Sequence, residues 1–229
     1  MRHLRIVGVA AAAIAAPLIA TPAASAATTP LPAAPVSGTL SPAAEQQMLS
    51  EIATSKPVIA TYKGKQINLA QNWEGARVCA EVSDGSVECF DSQGEADAAL
   101  VNENASVARR ESAVRKALGG TAAQAPASTS AIGDCGFGWI CVWEHSDYSG
   151  RRLQWNAKGT KNLSNWGFRD QASSGCVNRY QYGASLVDFR DFQLDPEMLM
   201  GAGSCYDFTK ASYVWGGTWN DKADAVIVN

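Results

Sequence analysis

The sequence predicts an all-β C-terminal domain over residues 135–229, set behind a small α+β region over residues 41–120. From Cys135 onward, short apolar stretches are separated by Gly, Asn, Asp and Ser at spacings of about 8–12 residues, the pattern of short strands joined by tight turns. Helix-like periodicity is scarce there, and Trp139, Trp143, Trp155, Trp166, Trp215 and Trp219 are concentrated in it. A frame also recurs. Trp143, Tyr148 and Gly150 return 51 positions later as Leu194, Leu199 and Gly201, and Asp170, Ala172, Val177 and Asn178 fall on Asp221, Ala223, Val228 and Asn229 without a gap. Two copies of one turn-and-strand unit suggest a domain built from two halves.

The elements follow in order. Arg2 and Arg5, an apolar run over 6–20 and Ala24-Ser25-Ala26 read as a signal peptide over 1–26, cleaved after Ala26, so the expected location is secreted and extracellular. The apolar run is too short for a membrane span of about 20 residues, and no membrane association is expected after cleavage. Residues 27–40, rich in Ala, Thr and Pro, read as a disordered lead. Ser41 and Pro42 then open a helix with Met48, Leu49 and Ile52 on one face. Strands over 58–62 and 66–69 flank the Lys63-Gly64-Lys65 turn. Ser92 with Glu95 forms a capping box that starts an Ala-rich helix running to Gly119-Gly120. Its apolar residues are mostly Ala, so it should bury little area. Residues 121–134 read as a linker. In the C-terminal domain, strands over 140–143 and 152–155 flank the Tyr148–Gly150 turn, and a strand from Ala184 begins the second half.

The six cysteines, Cys79, Cys89, Cys135, Cys141, Cys176 and Cys205, are an even number in a chain with an export signal, which reads as disulfides. With Gly85 in the left-handed position of a three-residue loop, Val82 faces Ser86 and Cys79 faces Cys89, an arrangement that can carry a bridge worth roughly 3 kcal/mol. Cys135 and Cys141 close a second small loop, leaving Cys176 with Cys205. A zinc site would need other ligand spacings. Residues 27–134 carry 12 acids and 8 bases, and residues 135–229 carry 10 and 9, so neither part has the basic excess that nucleic acid requires.

At Trp143, Tyr148 and Gly150 the chain resembles the βγ-crystallin fold, whose Greek-key motif opens with aromatic-x4-aromatic-x-Gly. More narrowly, Cys135-x5-Cys141, Trp143, Gly150, Trp166-Gly167-Phe168 and Asp170-Gln171-Ala172-Ser173-Ser174 resemble the secreted actinomycete peptidase inhibitors of metalloproteinase-inhibitor type. Asn220-Asp221-Lys222-Ala223 is similar to the matching element of the second half. The resemblance covers 135–229 only. It implies a double Greek key and a non-enzymatic inhibitor of extracellular peptidases, possible metallopeptidases among them. Leu194 and Leu199 depart from the aromatic motif. Family inhibitors carry a second short bridged loop, whereas Cys176 and Cys205 are far apart, so the resemblance assigns no inhibitory residue here.

The same resemblance implies calcium binding through paired loops, with Asp170, Ser173, Asn220, Asp221 and Asp224 as the oxygen donors. Arg169 puts a positive charge in the first loop and Ala225 removes a hydroxyl from the second. These residues also suit turns that they cap themselves, and the altered loops favour that role. The chain carries no catalytic signature. His145, within the turn motif, reads as a surface residue, and Asp188 with Asp191, or Asp195 with Glu197, read as solvated loop charges. Trp143 and Trp155 are expected in the core. Trp215, in Val214-Trp215-Gly216-Gly217, is expected at the surface, where it could stack on a cell-wall glycan. A calcium- or carbohydrate-binding module without inhibitory action is therefore the alternative function.

Overall fold

The structure, a computed structural model, describes residues 35–117 and 134–229. The expected signal peptide, the expected lead up to residue 34 and the expected linker up to residue 133 lie outside the described residues. β1 (Val36–Thr39) precedes α1 (Pro42–Thr54), followed by the hairpins β2 (Ile59–Tyr62) with β3 (Lys65–Asn68) and β4 (Val78–Glu81) with β5 (Val87–Phe90). Two helices, α2 (Gln93–Ala99) and α3 (Val101–Ala117), come next. The rest is β6 (Ile140–Trp143), β7 (Arg152–Trp155), β8 (Gly159–Asn162), a 3-10 turn (Leu163–Trp166), β9 (Ser174–Val177), β10 (Ala184–Val187), β11 (Pro196–Met200), β12 (Ser204–Asp207) and β13 (Ala225–Val228).

Local chemistry sets the element ends. Ser41 accepts the Ala44 amide at 3.2 Å, with Pro42 in the first turn. Ser92 accepts the Glu95 amide at 3.1 Å, while the Glu95 carboxylate accepts the Asp91 amide at 2.8 Å. The expected single Ala-rich helix is two helices, because the backbone departs from helical geometry at Leu100 (φ −87, ψ 13), whose side chain is buried. Met48 faces the core as expected, but Leu49 is exposed. Gly85 takes φ 84, Val82 donates to Ser86 at 2.9 Å, and Cys79 lies opposite Cys89. The bridges Cys79–Cys89, Cys135–Cys141 and Cys176–Cys205 all form.

Among the described residues, the strands make two sheets, ordered β1-β11-β10-β13-β8 and β12-β9-β6-β7-β4-β5-β2-β3. The two halves of 135–229 exchange one strand each: β8 joins the sheet of the second half and β12 that of the first. The N-terminal hairpins are no separate module. β4 pairs in parallel with β7, Val78 opposite Arg152 through Glu81 opposite Trp155, so the larger sheet continues into β5, β2 and β3. β1 covers β11 of the other sheet, so residues 36–39 of the expected disordered lead are a strand. Both pairings use backbone groups that would otherwise stand open on sheet edges, and backbone pairing needs no apolar side chain for a sequence reader to notice.

The sheets pack face to face. Ile140, Val142, Leu153 and Trp155 meet Leu186, Met198 and Val226, with Tyr62, Leu69 and Trp73 in the same core. The alternate residues Val78, Ala80, Trp143 and Cys176 pack under Ala96, Leu100 and Val107 of the helices. Thus the Ala-rich segment covers a sheet face. Polar contacts reinforce it: Trp139 donates to Asn104 at 2.8 Å, and the wholly buried Arg152 reaches Asp97 at 3.2 Å. Met48 of α1 covers Val187 and Ala225 on the outer face of the smaller sheet.

Candidate functional site

The loops that the sequence marked as an ion site meet at the end of the sandwich. Asp170 and Asp221 both take left-handed backbone, φ 54 and 53. They donate reciprocally, Asp170 N to Ala223 O at 3.0 Å and Asp221 N to Ala172 O at 3.1 Å. The 51-residue offset therefore describes a real two-fold relation at this point. The Ser173 hydroxyl donates to Asp221 at 3.1 Å, and the Asn220 amide donates to Asp221 at 2.6 Å. Arg169 pairs with Asp224 and lies 3.5 Å from Asp170. The structure thus brings the predicted residues together as two groups, Ser173 and Asn220 on Asp221, and Arg169 beside Asp224 and Asp170. The Arg169 guanidinium already neutralises two of the carboxylates a divalent ion would need, Asp224 and Asp170, so the set fits calcium poorly. Among the described residues no group of three or more His, Cys, Asp or Glu is arranged to hold a metal.

Asp224 is 1% exposed and accepts the Phe189 amide at 2.6 Å. Burial pushes its carboxyl up to about 6, with Asp170 and Asp188 adding to the rise and the Phe189 amide and Arg169 opposing it. Phe189 lies in the β10–β11 loop, so Asp224 ties the paired loops to this second one.

In the hairpins, the two-fold relation uses a different offset. Ser173 N donates to Trp143 O at 2.9 Å, and Asp224 N donates to Val187 O at 2.8 Å. These matching bonds make Val187, 44 positions on, the equivalent of Trp143, and Phe192 that of Tyr148. Backbone geometry agrees, since Tyr148 has φ 60 and Phe192 φ 64. The Leu194, Leu199, Gly201 frame read from sequence is therefore out of register: Leu194 and Leu199 are exposed, and no aromatic corner forms from them. The difference of seven residues is largely taken up between β12 and β13, where the chain makes an excursion closed by a Ser212–Thr218 bridge.

The aromatic positions then diverge. Tyr148 packs edge-on against buried Trp143, ring centroids 5.7 Å apart, and Gly150 takes φ 79 beside them. Val187 instead lies beneath α1, and Phe192 is 105% exposed at the tip of its loop. Residues 190–194 are all exposed, between buried Asp188 and Asp195. The Asp195 carboxylate accepts the Arg190 amide at 2.7 Å, and Asp188 accepts the Tyr213 hydroxyl at 2.5 Å and pairs with Arg190 at 2.8 Å. Burial and Asp188 push the Tyr213 hydroxyl up to about 12, and burial raises Asp195. Asp188 and Asp195 are thus loop anchors, not the solvated charges expected.

Arg190 also lies 5.6 Å from the ring of Trp215, which stands on the neighbouring excursion and is 50% exposed, as the sequence suggests. Loop and excursion together line a depression of about 570 Å³ that includes Arg190, Gln193, Trp215 and Lys222. Trp143 and Trp155 are fully buried and His145 is exposed, as expected. Sequence reasoning missed Phe192, Arg190 and Tyr213. Testing an offset of 44 would have aligned Phe192 with Tyr148.

No curated protein and no solved structure matches the chain significantly. A family model does match, over residues 128–186, and it runs from before β6 into β10 and takes in Cys135, Cys141 and Cys176. That family is one of inhibitors, not enzymes, and its description is peptidase inhibitor family I36.

Proposed function

We propose that the protein is exported, its signal peptide being removed, and inhibits extracellular peptidases, metallopeptidases among them, through a rigid β domain. The observation that carries this reading is the match of residues 128–186 to a peptidase inhibitor family. Rigidity supports it. Cys176 lies between Cys141 and Cys205 on adjacent strands, so two bridges clamp one end of the larger sheet. A preorganised surface loses little conformational freedom when it enters a cleft. The exchange of β8 and β12 between halves supports a βγ-crystallin-like double Greek key over 135–229.

The test uses the chain from residue 27 onward with its bridges intact. It is titrated against a thermolysin-like zinc peptidase and a subtilisin-like serine peptidase, with a peptide substrate. Inhibition of either at micromolar concentration supports the reading. Full activity of both, and of a wider panel of secreted peptidases, would sink it. Half-exposed Trp215 favours a second reading, a cell-wall glycan binder, which co-sedimentation with peptidoglycan or chitin would reveal.

A further inference from the structure

We infer that the loop between β10 and β11, with Phe192 at its tip, and the adjoining Ser212–Thr218 excursion form the surface that enters an apolar specificity pocket of the peptidase. This inference rests on the inhibitor reading above.

The two halves provide an internal comparison. Both hold an aromatic residue in left-handed backbone at the same turn position, Tyr148 and Phe192. A bulky residue with positive φ is an outlier that the surrounding structure must enforce. In the first half, an intramolecular contact accompanies this conformation, because Tyr148 packs against Trp143. In the second half, the turn conformation persists but Val187 is turned under α1, and the ring of Phe192 stands in solvent. Its backbone is held from both sides by the Asp188–Tyr213–Arg190 contacts and by Asp195. A fully exposed aromatic on an anchored turn loses little freedom on binding and gains the burial of its whole ring.

The second irregularity of this half lies beside it. The excursion absent from the first half carries Trp215, and Arg190 connects it to the loop. Phe192 and Leu194 expose apolar surface on the loop, and Trp215 exposes more on the excursion beside it. Trp215 lines the neighbouring depression with polar side chains, but Phe192 is no part of that lining and stands free, and a projecting ring suits a concave partner such as a peptidase cleft.

The experiment compares the full chain from residue 27 with Phe192→Ala, Phe192→Leu, Trp215→Ala and, as an exposed control off the loop and the excursion, Leu49→Ala on α1. Inhibition constants are measured on the most sensitive peptidase of the panel, after thermal melts establish that each variant is folded. The inference expects Phe192→Ala to weaken inhibition by roughly tenfold or more, with Phe192→Leu retaining most of it and Leu49→Ala unchanged. If the parent chain inhibits but Phe192→Ala and Trp215→Ala stay within about twofold of it, the surface is wrong and the inhibitor reading stands. If the parent inhibits no peptidase, the reading fails and this inference with it. Loss of peptidoglycan binding in Trp215→Ala would then assign the surface to a glycan.

Discussion

Replacing Arg169 with Gln removes the cation that pairs with Asp224. Its partner Asp224 is buried, with its carboxyl already pushed up to about 6. Between the ordinary carboxylate range and that value, the folded chain holds a proton that the unfolded chain releases. Asp224 therefore lowers stability as pH rises through this window, and the cost is constant above it. Arg169 opposes the rise. Its side chain is 52% exposed, so its loss should raise the Asp224 value by only about one pH unit, the low end for a nearby opposite charge. One pH unit is worth about 1.4 kcal/mol. The extra cost accrues between pH ~6 and ~7, so Arg169→Gln should lose about 1.3 kcal/mol at pH 8 and about 0.1 kcal/mol at pH 5. Urea unfolding followed by tryptophan fluorescence measures both. The corresponding fall in Tm at pH 8 is about 3–5 °C. Equal losses at the two pH values, or a larger one at pH 5, would refute the assignment of Arg169 as the internal counter-charge of Asp224.

Three further outcomes follow from the fold. Replacing Cys176 and Cys205 together by Ser opens a loop of 29 residues and should cost about 3–4 kcal/mol in the chain-entropy treatment, measurable by guanidinium unfolding. Gly138→Ala should destabilise by more than about 2 kcal/mol, because Gly138 has φ +90 and a Cβ there would meet Val107 Cγ1 at 2.0 Å; adding Val107→Ala relieves the clash but not the backbone strain, so unfolding measurements on the double variant should show partial recovery. Residues 135–229 expressed alone lose one of the two neighbours of β7 and of β11, and should aggregate or show weak near-ultraviolet circular dichroism; a soluble, cooperatively melting fragment would count against the shared sheet.

Covalent and strictly local features could be read from the sequence. The Val82–Ser86 turn contains the one glycine its geometry needs, so the Cys79–Cys89 bridge followed, and Ser41 and Ser92 cap helices through side chains close in sequence. Asp170 and Asp221 were readable because the paired loops keep one offset with β9 and β13. The hairpin offset was not, since an excursion between β12 and β13 shifts the frame by several residues and chance similarity at Gly201 favoured the wrong alignment. Docking of the N-terminal hairpins was also hidden. It depends on parallel backbone pairing between residues far apart, which leaves no periodic mark on either strand. For the same reason, Asp188 looked solvated: its partner Tyr213 stands on the excursion.

The parallel pairing of β4 with β7 also bears on when this chain can become folded. Val78 must wait for Arg152, and Val36 for Leu199, so neither sheet is complete until nearly all of the polypeptide is available. Contacts this distant in sequence must meet their loop-closure entropy before any packing rewards it, which slows the approach to the native state. Under the export reading, such delay is useful. A nascent chain that cannot finish either sheet stays threadable, and the compact clamp arises only on the side of the membrane where its thiols can be oxidised.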